Sequence, residues 1–195
     1  MAMKILGKCI GKLLKIKYKH KMRFFGDTSI IVRPMSIIGM KYISIGENCL
    51  FNIGLRMEAI DEFNGKCYRP DITIGNNVSI QQGVHITCAN YIKIGNNVSI
   101  LPYALITDIS HPYEDTKRAP IYQDFRTDEV IIDDDCMIGM GARILPGVHL
   151  GKHCVVGTNA VVTRDVAAFS VVSGIPARVI KYFDFDKNKW VEVKR

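Results

Sequence analysis

The sequence predicts an all-β fold in which short strands are wound into stacked coils. The chief observation is a hydrophobic repeat of six residues, which fits neither an α-helix nor a simple alternating strand. Aliphatic residues recur at this interval in three stretches, which are Ile74/Ile80/Ile86, Ile94/Ile100/Ile106 and Ile132/Ile138/Ile144/Leu150/Val156/Val162. The fifth position of each unit is small or β-branched, as at Val78, Val98, Cys136 and Ala160.

Three six-residue units make one coil of 18 residues, with a bend after each short strand. The near-duplicate segments ITIGNNVSI, from Ile72, and IKIGNNVSI, from Ile92, indicate one coil repeated at the next level. We expect the first and fifth positions to point inward, and glycine or asparagine to allow the bends. Because one repeat cannot bury its aliphatic face alone, the coils must share a continuous core. At about 4.8 Å per layer, about seven coils would form a prism roughly 30–35 Å tall.

The same repeat explains three of the six cysteines. Cys49, Cys136 and Cys154 occupy the small inward position, so we interpret them as core residues and not as ligands or nucleophiles. Cys67 falls in an irregular stretch and Cys88 at a corner. The cysteines are too sparse for a disulfide scaffold and form no Cys-x-x-Cys motif, which favours a reduced, cytoplasmic environment.

The predicted organisation has three parts. Residues 1–26 form a basic segment, residues 27–173 form the coiled domain, and residues 174–195 form a C-terminal extension. The six-residue frame is lost over residues 108–129, a polar stretch with two prolines. We interpret this stretch as a loop that projects from the prism, and a loop of this length in a compact repeat is often functional.

The net charge of +7 is concentrated in residues 1–26, which carry eight basic and no acidic side chains. The remaining chain, with 18 basic and 19 acidic residues, is close to neutral. Apolar residues at helical spacing among the lysines predict an amphipathic basic helix. Two interpretations stay open, which are a helix packed on one end of the domain and peripheral attachment to an anionic membrane at its inner face.

Other classes of protein are disfavoured by the same composition. No recognised motif or aromatic platform accompanies the basic segment, so we expect no nucleic-acid partner. No run of about 18 uncharged apolar residues predicts a membrane-spanning helix. The N-terminus lacks a signal-peptide cleavage pattern, so we expect a cytoplasmic protein.

The pattern [LIV]-G-x-x-[STAV]-x over residues 43–172, about two thirds of the chain, resembles the hexapeptide-repeat acyltransferases. Downstream, AVVTRDV from Ala160 and GIPARVI from Gly174 resemble closing segments of the sugar and antibiotic O-acetyltransferase branch, although that branch usually has Asn at the position of Ile175. The resemblance implies a left-handed parallel β-helix, which is an exception to the usual crossover rule. It also implies a homotrimer with active sites between subunits and acetyl-CoA in the groove between adjacent prisms.

His111, the only histidine of the 108–129 loop, is the candidate catalytic residue. With Pro112 it resembles the catalytic segment of sugar O-acetyltransferases such as the galactoside and maltose enzymes. Acetyl transfer from a thioester requires the attacking hydroxyl to lose its proton, and an imidazole is suited to accept it near neutral pH. We therefore expect a general base worth about 10²–10⁴-fold, with direct attack and no covalent intermediate. Asp108, Glu114, Asp115 and a backbone carbonyl are candidates to orient the ring.

The resemblance further implies the residues around acetyl-CoA. Seven residues occupy the corresponding positions of the family, which are Gly139, Met140, Thr158, Thr163, Arg164, Arg178 and Lys181. Met140 stands where related sugar enzymes often have Ser, and Arg164 where they have Lys. The first three match the groove of the pantetheine arm, and the basic residues would contact phosphates. Met137 replaces a common Trp, so one stacking contact is absent. A solvated basic tail is the alternative interpretation of the last two residues.

The acceptor is the least defined part of the site. Where galactoside enzymes hold sugar hydroxyls with an Asn and an Asp, this chain offers Gln81 and Ala89, of which only Gln81 can form a hydrogen bond. A different sugar, a polysaccharide or a lipid-linked intermediate therefore fits better than a galactoside. Asp108, at the start of the loop, is the second predicted substrate contact.

The predicted function is acetyl transfer from acetyl-CoA to a carbohydrate hydroxyl, as in a surface polysaccharide or an oligosaccharide precursor. An amino-sugar N-acetyltransferase, a serine acetyltransferase and a xenobiotic acetyltransferase on the same fold remain open. A zinc enzyme similar to γ-class carbonic anhydrases would need three converging histidines, which the positions of His85, His111, His149 and His153 do not predict, so we expect no metal. A non-catalytic scaffold would have no need of the His-Pro loop.

Overall fold

The computed structural model describes residues 18–193. Most of the predicted basic helix therefore lies outside the described residues. Residues 18–21 are helical, and the buried Tyr18 and Met22 pack on the first coil. The rings of Tyr18 and Phe25 lie 5.6 Å apart. None of the helices in this range combines the length and hydropathy that a membrane span requires.

Residues 18–193 form 25 short strands, which include six complete coils of three. Coils 1 and 2 contain β1 (Phe24–Phe25), β2 (Ile30–Ile31), β3 (Ser36–Ile38), β4 (Ile43–Ile45), β5 (Leu50–Phe51) and β6 (Arg56–Ala59). A hairpin of β7 (Glu62–Phe63) and β8 (Lys66–Cys67) precedes coils 3 and 4, with β9 (Asp71–Ile74), β10 (Ser79–Ile80), β11 (His85–Cys88), β12 (Tyr91–Ile94), β13 (Ser99–Ile100) and β14 (Leu105–Thr107).

The second half repeats the arrangement after a longer interruption, which contains β15 (Ile109–Ser110) and β16 (Arg126–Thr127). Coils 5 and 6 contain β17 (Val130–Ile132), β18 (Met137–Ile138), β19 (Arg143–Ile144), β20 (His149–Leu150), β21 (Val155–Val156) and β22 (Val161–Val162). The chain continues with β23 (Ser170–Gly174), β24 (Ala177–Asp184) and β25 (Lys189–Glu192). Two 3₁₀ helices within the described range are Met40–Tyr42 and Pro120–Tyr122.

The coils stack into three parallel sheets, one for each face of a prism. Face A contains β1, β4, β9, β12, β17 and β20; face B contains β2, β5, β10, β13, β18, β21 and β23; face C contains β3, β6, β11, β14, β19 and β22. Each first-position residue pairs with its counterpart one coil away, as Ile100 does with Ile80 and Ile138. The predicted left-handed parallel β-helix is confirmed.

The core is a continuous column inside the three faces. Every first-position residue named above is buried, and so are the small fifth-position residues between them. Cys49, Cys136 and Cys154 lie in this column. Burial raises the pKa of the Cys49 thiol, as expected for a side chain that fills space and does no chemistry.

The bend between faces A and B explains the Asn-Asn pairs of the duplicated segments. Asn77 and Asn97 both have φ of 56°, a left-handed conformation that asparagine tolerates better than most residues. The Asn77 side chain donates a hydrogen bond to Asn97 Oδ1 at 3.0 Å, and Asn97 donates to Asp135 Oδ1 at 2.9 Å. The side chains thus form a ladder that continues the backbone stacking on the outside.

Two segments leave the coils, and the sequence indicated only one of them. Over the predicted loop, residues 108–129, β15 and β16 form a short antiparallel pair. The second excursion, residues 60–70, is the antiparallel β7–β8 hairpin around Asn64 and Gly65, where the sequence had shown only an irregular stretch.

The two ends of the chain extend the prism differently from the predicted boundaries. Coil 1 begins at Phe24, inside the range 1–26 that the sequence assigned to the basic segment. At the other end β23, β24 and β25 add an antiparallel meander to face B. The predicted boundary at residue 173 therefore falls inside β23, and the C-terminal extension is a continuation of the β-sheet of face B.

Candidate active site

His111 lies where the two excursions meet. Its ring packs edge-on against Phe125, with centroids 5.1 Å apart at 90°, and against Phe63, at 6.2 Å and 79°. Phe63 stacks on Phe125 at 3.9 Å and 15°. The imidazole itself is exposed. Aromatic packing thus limits the orientation of the ring and leaves its nitrogens accessible.

The aromatic support belongs to a small cluster that is separate from the main core. Its buried members are Ala89, Ile109 and Phe125, and Ile60, Phe63 and Tyr68 pack against them. The backbone N–H of Phe125 donates to the Tyr68 hydroxyl at 2.8 Å, and the Asn64 side chain donates to the carbonyl of Ile121 at 3.0 Å. These contacts connect the hairpin to the loop.

A cavity of about 390 Å³ opens beside His111 on face C. The excursions contribute Ile60, Ile109, His111 and Phe125 to its lining, and face C contributes Arg56, Glu58, His85, Thr87, Leu105 and Thr107. One side is therefore apolar and partly aromatic, whereas the other carries hydrogen-bonding and charged groups. An acceptor molecule bound here would lie within the same cavity as the imidazole.

The polar side of the cavity centres on Glu58, a carboxylate that is only 6% exposed. Arg56 Nε donates to Glu58 Oε1 at 2.7 Å. His85 Nε2 lies 3.8 Å from Glu58 Oε2 and 2.6 Å from Thr87 Oγ1. Burial lowers the pKa of His85, assisted by the Arg56 charge and opposed by Glu58, so the neutral imidazole is favoured near pH 7.

None of the acidic residues proposed to orient His111 does so through a hydrogen bond in the described part of the chain. Glu114 accepts from the Tyr113 N–H and from Arg126, and Asp115 accepts from the Lys117 N–H. Within residues 18–193 the His111 ring packs against two aromatic rings, those of Phe63 and Phe125. This packing orients the imidazole without any of the three predicted carboxylates.

Asp108 requires a correction. It was expected to contact the acceptor or orient His111, but it is fully buried. Its Oδ1 accepts from the Ala89 N–H at 2.9 Å and its Oδ2 from the Asn90 N–H at 2.8 Å. The Sγ of Cys88 lies 3.2 Å from Oδ2, and this carboxylate and burial raise the pKa of the thiol. Asp108 therefore fixes the corner from which the loop departs.

Gln81, the other predicted substrate contact, lies apart from the cavity of His111 in the single chain. It follows β10 at the bend between faces B and C. Its Oε1 accepts from Asn52 Nδ2 at 3.0 Å, and its Nε2 donates to Ser79 Oγ at 3.0 Å. The single chain does not bring Gln81 and His111 together.

Three of the predicted cofactor residues lie along that same bend. Gly139 and Met140 follow β18, and Thr158 follows β21 one coil further on. The Asn159 N–H donates to the Met140 carbonyl at 2.8 Å, so the bends stack directly. At Gly139 a Cβ atom would lie 2.5 Å from the Val156 carbonyl oxygen, and the close stacking therefore requires glycine.

Arg178 and Lys181 share a larger cavity, of about 830 Å³, with Ser173 and Ile175. Ser173 packs beside Gly157, which places this cavity at the C-terminal end of the bend between faces B and C. Lys181 pairs with Glu192 at 3.1 Å, whereas Arg178 is exposed. The two basic residues thus lie in one cleft that continues the line of Gly139, Met140 and Thr158.

Thr163 and Arg164 lie elsewhere. They follow β22 at the bend between faces C and A, and both are exposed. The seven predicted cofactor residues are therefore divided between the two edges of face C. The single chain unites five of them along one edge.

The remaining histidines are remote from the cavity. His149 pairs with Asp133 at 2.9 Å on face A, and His153 stacks on Phe169 with ring centroids 5.5 Å apart. Within residues 18–193, no group of three or more His, Cys, Asp or Glu side chains is arranged to hold a metal ion. Among residues 18–193, His85 is the only other histidine that lines the cavity of His111.

Glu58 and His85 were missed as site residues by sequence reasoning. The signal that could have revealed them is their position within the repeat. Glu58, Thr87 and Thr107 are paired counterparts in successive coils, and so are Arg56, His85 and Leu105. Charged or titratable side chains at outward positions of face C, next to the loop that carries His111, indicate that this part of the face belongs to the site.

Comparisons with known proteins agree with the repeat and the fold. Residues 129–164 match the family model described as bacterial transferase hexapeptide (six repeats). The chain is 31% identical over 174 residues to the protein named lipopolysaccharide biosynthesis O-acetyl transferase WbbJ of Escherichia coli K12, which covers 86% of this chain and 85% of that protein. It is 28% identical to the galactoside O-acetyltransferase of the same organism, over 92% and 80% of the two chains.

A solved structure of AntD, an N-acyltransferase from Bacillus cereus in complex with dTDP-4-amino-4,6-dideoxyglucose and coenzyme A, superposes with a TM-score of 0.73. It is 18% identical and covers 89% of this chain and 91% of its own. A maltose O-acetyltransferase from Clostridium difficile gives a TM-score of 0.53 at 23% identity, over 86% and 73% of the chains. These two likenesses support the fold. The identity and coverage to WbbJ, with the family match, establish that the chain belongs to the hexapeptide-repeat transferases and is an acyltransferase.

Proposed function

We propose that the protein transfers an acetyl group from acetyl-CoA to a hydroxyl group of a carbohydrate, with His111 as the general base. The observation that carries the proposal is the exposed His111 imidazole, held edge-on by Phe63 and Phe125 at the mouth of a cavity with a polar wall. The names of the two Escherichia coli relatives, both O-acetyltransferases, support the hydroxyl as the acceptor group.

In the proposed reaction the acceptor hydroxyl gives its proton to the His111 imidazole while its oxygen attacks the thioester carbonyl. A tetrahedral oxyanion forms, and a backbone N–H or the imidazolium is suited to stabilise it. When the intermediate collapses, the carbon–sulfur bond breaks and the imidazolium returns the proton to the leaving thiolate. The products are the acetyl ester and free CoA, and His111 is again neutral.

In this proposal acetyl-CoA binds along the bend between faces B and C. Gly139 allows close approach at the stacked bends, and Arg178 is an exposed guanidinium in the 830 Å³ cleft at the end of that line. A guanidinium can hold a phosphate through two parallel hydrogen bonds. Thr163 and Arg164, on the opposite edge of face C, would reach the same cofactor only across a neighbouring subunit.

A homotrimer is therefore part of the proposal. Face B carries exposed apolar side chains on its outer surface, among them Ile30, Leu50 and Met137. An exposed apolar stripe of this kind favours burial against another copy. Assembly would bring the B–C edge of one chain next to the loop of another, and so unite Gln81 with a partner's histidine site. We place the enzyme in the cytoplasm, with the basic N-terminal segment, residues 1–26, as a candidate contact with the membrane surface.

The test is a CoA-release assay with the full-length protein, acetyl-CoA and a panel of neutral sugars, amino sugars, serine and lipid-linked oligosaccharides. We expect transfer to a carbohydrate hydroxyl, and His111→Ala should reduce kcat by about 10²–10⁴-fold. His149→Ala, which alters an exposed histidine on face A, is the matched control and should retain full activity. Wild-type rates in His111→Ala, or transfer to amines alone, would contradict the proposal.

A further inference from the structure

We propose that Glu58 and His85, held by Arg56 and Thr87, bind hydroxyl groups of a neutral acceptor sugar beside the hydroxyl that is acetylated. This inference rests on the proposed function, because it names the part of the same cavity in which the acceptor would bind. The residues are on face C and not on the loop of His111. They would therefore position the acceptor and leave proton transfer to the loop.

The first argument is that Glu58 has no role in stacking the coils. It lies on an outward stripe whose paired counterparts are Ile38 in coil 1 and Thr87 in coil 3. Neither neighbouring coil needs a carboxylate at this position. A nearly buried carboxylate costs stability unless its oxygens are hydrogen-bonded. Its retention on a face that stacks without it points to a ligand.

The second argument concerns the free oxygen of Glu58. Oε1 is bound by Arg56 Nε at 2.7 Å, whereas Oε2 is 3.8 Å from His85 Nε2, which is too long for a hydrogen bond. Among residues 18–193 no fully buried side-chain oxygen or nitrogen lacks a partner, so Oε2 must retain access to the cavity. It is therefore available to accept a hydrogen bond from a hydroxyl group.

The third argument is that His85 offers complementary hydrogen bonding. Its Nε2 is engaged with Thr87 Oγ1 at 2.6 Å, and Nδ1 has no hydrogen bond within the described residues. A neutral imidazole carries one donor and one acceptor nitrogen. Nδ1 can therefore accept from a hydroxyl when Nε2 donates to Thr87, or donate to a hydroxyl when Nε2 accepts. Glu58 Oε2 and His85 Nδ1 thus provide two hydrogen-bonding groups from residues that line one cavity, which suits two hydroxyl groups of a sugar ring.

The apolar wall contributed by the excursions and the net charge of the cavity lining favour one class of acceptor. Ile60, Ile109 and Phe125 provide an apolar surface against which the C–H face of a sugar ring can pack. Arg56 and Glu58 compensate each other, and His85 is neutral near pH 7. The cavity of about 390 Å³ is within the usual range for a small-molecule site. A neutral sugar fits these features better than a sugar phosphate or an acidic sugar.

The experiment measures the steady-state constants of Glu58→Gln and His85→Phe with acetyl-CoA and the best sugar from the panel. Both changes approximately conserve shape. Glu58→Gln replaces one accepting oxygen by an amide group that only donates, and His85→Phe removes both ring nitrogens. We expect the KM for the sugar to rise about tenfold or more, the KM for acetyl-CoA to change less than about twofold, and kcat to fall much less than in His111→Ala. Thermal unfolding of each variant identifies loss of fold, and His149→Phe, at an exposed histidine on face A, is the matched control that should retain the wild-type KM.

The outcomes separate this inference from the proposed function. Sugar acetylation that depends on His111 but shows an unchanged sugar KM in both variants would overturn the subsite alone. A wild-type enzyme that acetylates no sugar would overturn both. A selective rise in sugar KM in folded Glu58→Gln and His85→Phe would support the subsite.

Discussion

The regular coils and the two excursions of this protein are built in different ways. In the coils each first-position aliphatic side chain is buried and each strand pairs with the strand one coil away, so every layer repeats the contacts of the next. The excursions, residues 60–70 and 108–129, depend on a small aromatic cluster and a few side-chain hydrogen bonds. The difference implies that the coils supply stability and the excursions supply the reactive group, and that each can be altered separately.

The largest effect on stability is expected from a core residue of the coils. Ile100 is fully buried and lies between Ile80 and Ile138 on face B. Ile100→Ala should lower the free energy of unfolding by about 2–5 kcal/mol, because it leaves a cavity in a column that cannot collapse around it. Chemical denaturation measures the loss.

The excursion offers a control of the same chemical type for that change. Ile121 is 56% exposed within the loop. Ile121→Ala should change the free energy of unfolding by no more than about 0.5 kcal/mol. Equal losses at the two positions would show that the excursion and the coils unfold as one unit with similar packing.

The next largest effect should be on activity. Phe125→Ala removes the ring that supports His111 from one side, at a centroid distance of 5.1 Å. We expect kcat to fall about 10- to 100-fold because the imidazole is no longer held in position. The unfolding midpoint of the coils should change little, since the aromatic cluster can open locally. Steady-state kinetics and thermal unfolding together measure the two effects, with the exposed Tyr122→Ala as control. A large fall in the unfolding midpoint with an unchanged kcat would contradict this account, because it would show that Phe125 stabilises the fold and does not position His111.

Asp108 lies at the junction between the two regions. Asp108→Asn replaces one accepting oxygen by an amide that cannot accept the Ala89 or Asn90 N–H. We expect a loss of about 1–3 kcal/mol in the free energy of unfolding and an unchanged KM for the sugar. Asp115→Asn, an exposed change in the same loop, is the matched control. A selective rise in sugar KM would restore Asp108 as a substrate contact.

The smallest effect is a pH-dependent one at the first coil. Arg23 forms two hydrogen bonds to the Asp71 carboxylate, at 2.6 and 2.8 Å, and the guanidinium lowers the pKa of Asp71. A lowered folded-state pKa gives stability above the unfolded value, near pH 4, that is lost as the pH falls through the folded value. Asp71→Asn should therefore cost about 0.2–1 kcal/mol at pH 7 and progressively less as the pH falls below about 4. Thermal unfolding across this range tests it, and a loss that grows on acidification would contradict it.

The fold could be predicted from the sequence because the six-residue repeat identifies which side chains point into the core and which residues stack on one another. The spacing of Ile80, Ile100 and Ile138 directly encodes their register in face B. The site was only partly predictable. His111 was indicated by the break in the repeat, but its support comes from Phe63, which is distant in sequence and belongs to a hairpin too short to leave a pattern.

Two further features of the site required the structure. Asp108 was chosen for its nearness to His111 in sequence, which does not reveal that its carboxylate is buried against the Ala89 and Asn90 amides. Glu58 and His85 lie one coil apart, and only the stacking of β6 on β11 brings them together. Sequence distance is a poor guide wherever contacts cross between coils or excursions.

The most direct test of the division between coils and excursions is a paired measurement on His111→Ala, namely kcat for acetyl transfer to the sugar and the midpoint of thermal unfolding. The division predicts a fall in kcat of about 10²–10⁴-fold. It also predicts a midpoint close to that of the wild type, because the exposed imidazole contributes nothing to the core column. A variant that transfers acetyl at the wild-type rate would contradict the central claim that the loop histidine performs the chemistry.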